Sequence, residues 1–125
     1  MKNIHYLIMA VCLLFGSCQE KPNKLYEEGI SLELAQLRKE EIKDLKYNLR
    51  FSIPEQKQEA VEGETRILFT IQKPQEIILD FRESADKVKE VSVNGQPSEY
   101  TFLNEHIILP EGSTIEGENE VHIRF

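Results

Sequence analysis

Three residues carry an imidazole, His5, His106 and His122, and two carry a thiol, Cys12 and Cys18. Hydrolytic zinc needs about three converging ligands, often two histidines one helical turn apart. No His-Glu-x-x-His occurs, and the histidines are far apart in the chain. His5 sits in a leader, and His122 alternates with Val121 and Ile123, which turns it away from a core. His106 is likewise expected to be a surface or edge residue. Both cysteines precede position 19, so the body has no thiol nucleophile and no disulfide framework. Neither Gly-x-Ser-x-Gly nor a phosphate-cradling glycine loop is present. The carboxylates Glu62, Glu64, Glu116, Glu118 and Glu120 flank loops and strand starts, where a solvated acidic rim is the expectation. Glu116, Glu118 and Glu120 lack the dense Asp/Asn spacing of a dedicated calcium loop. On these residues the chain holds no catalytic and no metal site.

One cysteine has a different chemistry. Met1 to His5 is a short polar start with Lys2, Tyr6 to Phe15 is unbroken and apolar, and Gly16-Ser17 precede Cys18. This is the pattern of a secretory signal. Its apolar run is about half the roughly 20 residues a membrane-spanning helix needs. Small residues before a cysteine resemble the bacterial lipobox, with Phe15 at the place that favours leucine. That resemblance implies a signal over residues 1–17 and a lipid on Cys18, followed by a polar tether over 18–29. Acyl chains contribute about 0.8 kcal/mol per buried CH₂, and two or more anchor stably. The expected place is the cell envelope of a Gram-negative bacterium, on the periplasmic side of the outer membrane. Palmitate incorporation that Cys18→Ala abolishes is the expected result, and unchanged labelling in the variant contradicts it.

The body, residues 30–125, must position whatever else the chain does. Leu45 to Ile53 alternates without a break: Leu45, Tyr47, Leu49, Phe51 and Ile53 on one side, Lys46, Asn48, Arg50 and Ser52 on the other. Period two is the signature of a strand with one dry and one wet face. Pro54 stops it. Similar runs follow. Ala60 to Gln72 puts Val61, Thr65, Ile67, Phe69 and Ile71 on one face, and Gly63 within it predicts a bulge or a close approach. Glu76 to Arg82 has Ile77, Leu79 and Phe81 on one side and Ile78 on the other, which predicts partial cover on both. Val88 to Val93 ends in Asn94-Gly95, a hairpin signal. The expected return strand is Glu99 to Leu103, with Pro97 lengthening the connection. His106 to Leu109 and Glu120 to Phe125 complete the set.

Ile30 to Glu41 is the helical candidate, with Ile30, Leu34 and Leu37 on one face and Ser31 as its cap. The fold class is therefore all-β, an open antiparallel sandwich or saddle led by one short helix. The aromatics Tyr47, Phe51, Phe69, Phe81 and Phe125 fall on apolar faces and are expected in the core, leaving Tyr26, Tyr100 and Phe102 free. A net charge of −7 argues against nucleic acid, whose phosphates call for a basic stripe.

As an ordered series the strands resemble a known family. Tyr47, Leu49, Phe51, Ile53 and Pro54 are similar to the first long strand of the aminopeptidase N family of zinc metallopeptidases. Gly63 with Ile67 and Phe69, then Ile78-Leu79-Asp80-Phe81, resemble its second and third strands. Val91-x-Val93-Asn94-Gly95 looks like its hairpin. His106-Ile107-Ile108-Leu109-Pro110 and Gly117-x-Asn119-x-Val121-x-Ile123-x-Phe125 look like the strands after it. Gly29 to Ala35 resembles the leader of secreted bacterial members, so the likeness spans residues 29–125.

The resemblance implies the first part of a saddle-shaped N-terminal β domain. That domain packs against a helical zinc-binding catalytic domain, which this sequence does not include. It implies a parent that trims N-terminal residues from envelope peptides, with zinc held elsewhere. No catalytic residue is carried over, and the chain alone is expected to be inactive. Phe125 reads as a cut through a longer protein, leaving an open strand edge, a bare apolar patch and marginal solubility for residues 19–125. The alternative is a free-standing envelope lipoprotein β-sandwich that binds a protein or glycan.

Overall fold

The computed structural model describes residues 23–125. After a single 3-10 turn at Lys24–Tyr26 the elements are α1 (Leu32–Glu41), β1 (Lys43–Ser52), β2 (Glu62–Ile71), β3 (Ile77–Asp80), β4 (Glu90–Val93), β5 (Gln96–Pro97), β6 (Thr101–Leu103), β7 (His106–Leu109) and β8 (Gly117–Arg124). They make two open antiparallel sheets, β1-β2-β8-β4-β5 and β3-β7-β6. The alternating runs of the sequence account for this mostly β architecture. The signal, the Cys18 lipid site and the first part of the tether lie outside the described residues.

Ser31 caps α1, its hydroxyl accepting the Leu34 N–H at 3.1 Å. The helix therefore begins at Leu32, and Ile30, expected on its apolar face, is left outside it and exposed. Only Leu34 of the helix is buried, against Ile78 and Ile108 on the back of the small sheet. Those two isoleucines point opposite to Ile77, Ile107 and Leu109, which face the large sheet. Here the small sheet is covered on both sides, as Ile78 suggested.

The core between the sheets takes Ile67, Phe69 and Ile71 from β2, Val121 and Ile123 from β8, and Val91 and Val93 from β4. Near its start β1 carries one extra residue relative to β2, between Lys43 and Lys46. Asp44 sits there at φ 53°, in the left-handed region that Asp tolerates better than most residues.

Two tight turns share one geometry. Asn94 and Gly95 both have positive φ (52° and 77°), and so do Asn104 and Glu105 (48° and 65°). Each closes a two-residue hairpin, β4 to β5 and β6 to β7. The return strand of the first hairpin differs from the expectation. Pro97 does not lengthen the connection, because it pairs with Ser92 on an edge strand and the following Ser98 N–H still reaches the Val91 carbonyl at 3.0 Å. A proline is tolerated on an edge strand where its missing N–H is not called on. The expected strand over 99–103 instead crosses to the small sheet, as β6.

Asn119 is buried and tied on every side. Its Nδ2 donates to the carbonyls of Ile115 (2.7 Å) and Gly117 (3.1 Å). Its Oδ1 accepts from the Ile115 N–H (2.9 Å) and Asn94 Nδ2 (3.0 Å). The loop before β8 and the β4–β5 hairpin are thus held to one amide.

Gly63 answers to a close approach. Its register opposite Phe51 is unbroken, so there is no bulge here. The ring of Phe125 lies over it, and a Cβ would fall inside van der Waals contact with Phe125 Cε2 and Cζ. Phe125 also meets Phe51 and Phe81 edge-on, at 6.2 and 5.6 Å between ring centres. Gly63→Val should cost about 1–3 kcal/mol by overpacking. In a Phe125→Ala background most of that penalty should vanish, which a double-mutant cycle in chemical denaturation measures; an undiminished penalty contradicts the ring as its cause.

Candidate functional site

The sheets part at one edge. The buried core includes no residue of β1. Leu45, Tyr47, Leu49 and Phe51, expected in the core, are exposed, with Tyr47 64% and Phe51 53% accessible, and Ile53 beyond them is barer still. The reason is width. The large sheet has five strands and the small one three, so the small sheet closes over β2, β8 and β4 and stops short of β1. A groove of about 740 Å³ results, with Leu45, Tyr47 and Leu49 on one wall and Ile77, Leu79 and Phe81 on the other. Ile67 and Phe69 also line it, and Arg38, Lys39 and Asp80 supply its charge. Exposed apolar surface this continuous marks a binding or packing face.

The charged residues beside the groove form a latch. Arg38 on α1 holds Asp80 at the end of β3 through both carboxylate oxygens, at 2.7 and 2.8 Å. The same guanidinium donates to the Ile78 carbonyl at 2.7 Å. Such a two-pronged pair has more directional hold than an exposed lysine pair. On the other side of Asp80 stands His106. Its expected edge or surface placement is overturned, since it is 1% accessible. Its Nε2 lies 2.9 Å from the Glu27 carbonyl. A carbonyl can only accept, so Nε2 carries a hydrogen. Its Nδ1 is 3.0 Å from Asp80 Oδ1, without the alignment of a hydrogen bond.

The leading segment is pinned at further points. Asn104 Nδ2 donates to the Tyr26 carbonyl at 2.7 Å. The Tyr26 hydroxyl donates to Glu76, and that bond, with partial burial, raises the phenol above its ordinary range. Lys24 and Glu33 pair at 2.8 Å in the open. Their hydrogen bond pushes the ammonium up and the carboxyl down. Glu33's small contribution is therefore present above the usual carboxylate range and lost as pH falls through its lowered value. Together these contacts strap residues 23–41 to the small sheet, and the latch is a structural pin.

The other candidates stay dispersed. His122 lies on the outer face of β8, 3.4 Å from Glu64, as its alternation predicts. Glu64 also pairs with Arg50 at 3.1 Å, and Glu62 with Lys89 at 3.2 Å. Glu116 and Glu118 are exposed, while Glu120 pairs with Arg66 at 3.7 Å. Among the described residues no three of His, Cys, Asp and Glu come together as metal ligands. Tyr26, Tyr100 and Phe102, expected to be free, pack instead against the two apolar clusters. A signal for His106 was present: His106-Ile107-Ile108-Leu109 does not alternate, and a short run apolar on both sides belongs to a strand buried on both faces.

No protein-family model, no curated protein and no solved structure matches this chain.

Proposed function

We propose that this chain is a non-catalytic packing unit, the N-terminal β portion of an envelope aminopeptidase N-like zinc metallopeptidase that trims N-terminal residues from peptides. The observation that supports it most is the apolar face of β1, continuous and largely exposed among the described residues beside an otherwise packed sandwich. Burying such a face contributes about 25 cal/mol per Å² of apolar area, and a chain that leaves it wet forgoes that. In this reading the face is covered by polypeptide from outside this β portion, and zinc belongs to the catalytic part of the parent protein. A lipid on Cys18 would hold the unit to a membrane, facing the periplasm.

The chain itself, purified and supplied with zinc, should release nothing from an aminoacyl reporter. Measurable hydrolysis that a chelator stops would refute the non-catalytic assignment.

One observation favours a second reading. Tyr47 stands 64% accessible beside the groove, a ring available to a ligand. That suits a free-standing envelope lipoprotein whose sandwich binds a protein or glycan. Glycan binding that Tyr47→Ala abolishes would move this reading ahead.

A further inference from the structure

β1 is the outer strand of the large sheet. Which of its backbone groups are free follows from the neighbouring ladder. Gly63 and Phe125 exchange both backbone hydrogen bonds, at 2.7 and 2.8 Å. In an antiparallel ladder a residue's N–H and C=O point the same way, and those of the next residue point the opposite way. The odd residues of β2 thus serve β8, and its even residues serve β1, opposite Lys46, Asn48, Arg50 and Ser52. The backbone groups of Tyr47, Leu49 and Phe51 therefore face outward along an open edge. Their side chains are the exposed apolar ones. Among the described residues no further strand meets these outward backbone groups, and of the three side chains Phe51 alone stacks on another ring, edge-on against Phe125.

Natural edges are usually blunted by charge, proline or a bulge. Here the extra residue near Asp44 and Pro54 blunt the two ends and leave the middle open. The opposite face of β1 itself carries two cations and no carboxylate from Lys46 to Ser52, although the neighbouring strands supply Glu64 to Arg50 and Glu120 to Arg66. Lys46 and Arg50 lie on it, and Arg66 stands across from Asn48, in a protein of net charge −7. Arg50 shares Glu64, while Lys46 has no ion pair among the described residues.

We infer that β1 accepts an added strand from a partner polypeptide, one whose residues alternate apolar and acidic. Its backbone would pair with Tyr47, Leu49 and Phe51, its apolar side chains would roof the groove, and its carboxylates would meet Lys46 and Arg50. A second copy of this chain fits less well, because its β1 brings the same cations to the same face. The inference deepens the packing-unit reading and rests on it only for the claim that this face docks protein.

The test uses the full chain and a labelled peptide alternating Val and Glu, matched to the 10 residues of β1. The controls are a Val/Lys peptide and a scrambled Val/Glu peptide. Saturable binding of the Val/Glu peptide, roughly tenfold tighter than either control, is expected for two added charge pairs. Hydrogen exchange should slow at the amides of Tyr47, Leu49 and Phe51. The double variant Lys46→Glu, Arg50→Glu, both at exposed positions, should reverse the preference toward the Val/Lys peptide. Equal binding of all three peptides, or unprotected edge amides, would overturn the inference. So would a concentration-dependent dimer protecting the same amides without preference for acid, since the occupant would then be a second copy. None of these readouts depends on peptidase parentage.

Discussion

Phe69→Ala is expected to lower the unfolding free energy by about 3–5 kcal/mol, the range for emptying an aromatic site in a packed core. Phe69 is 2% accessible and sits where both sheets meet, with Ile67 and Ile71 beside it on the same strand. Phe51→Ala provides the contrast. It has the same residue type and the same alternating pattern, yet its ring is half exposed. Its loss should cost about 1 kcal/mol, the order of an edge-on aromatic contact such as the one it makes with Phe125. Urea unfolding of both variants, with unchanged slopes, measures the difference. Equal losses would mean that β1 is covered after all.

Asp80→Ala has the second large effect. It removes both acceptors of the Arg38 guanidinium and the carboxylate facing buried His106. Hydrogen bonds to charged groups contribute about 1.5–3 kcal/mol. Asp80 and Arg38 are partly open to water, at 34% and 24% side-chain accessibility, which screens the pair. The net expectation is a loss of about 2 kcal/mol, within that range. Release of the strap should accompany it: hydrogen exchange should speed up over residues 23–41 before it does in β2 and β8. Uniform acceleration across both sheets would contradict a local latch.

Much of the fold was legible because alternation is a one-dimensional signal. β1, β2 and β8 are long runs of period two, and the Asn94-Gly95 turn follows from the φ its residues tolerate. What the sequence left dark depends on which sheet each run joins. Nothing local says that residues 101–103 join the small sheet rather than return along β4, because a three-residue run carries too short a pattern to choose its neighbour. Nothing local says that Leu45 to Phe51 stay wet either. Alternation shows that a strand has a dry-type face, and only the width of the opposing sheet decides whether that face is covered. The latch was hidden for a related reason. Arg38 is 42 residues from Asp80, and Glu27 is 79 from His106, so their meeting is a property of the docked strap. Within the candidate site, the apolar residues of the groove were therefore foreseeable as a set, while its openness and its charged border were not.

If the chain is, as we propose, the N-terminal β portion of an aminopeptidase N-like protein, more β segments and a catalytic part belong to the same gene. The most direct measurement is the DNA sequence beyond codon 125. An open frame that runs on through more alternating β segments and then reaches His-Glu-x-x-His is the expected result. A stop codon directly after Phe125 would contradict it.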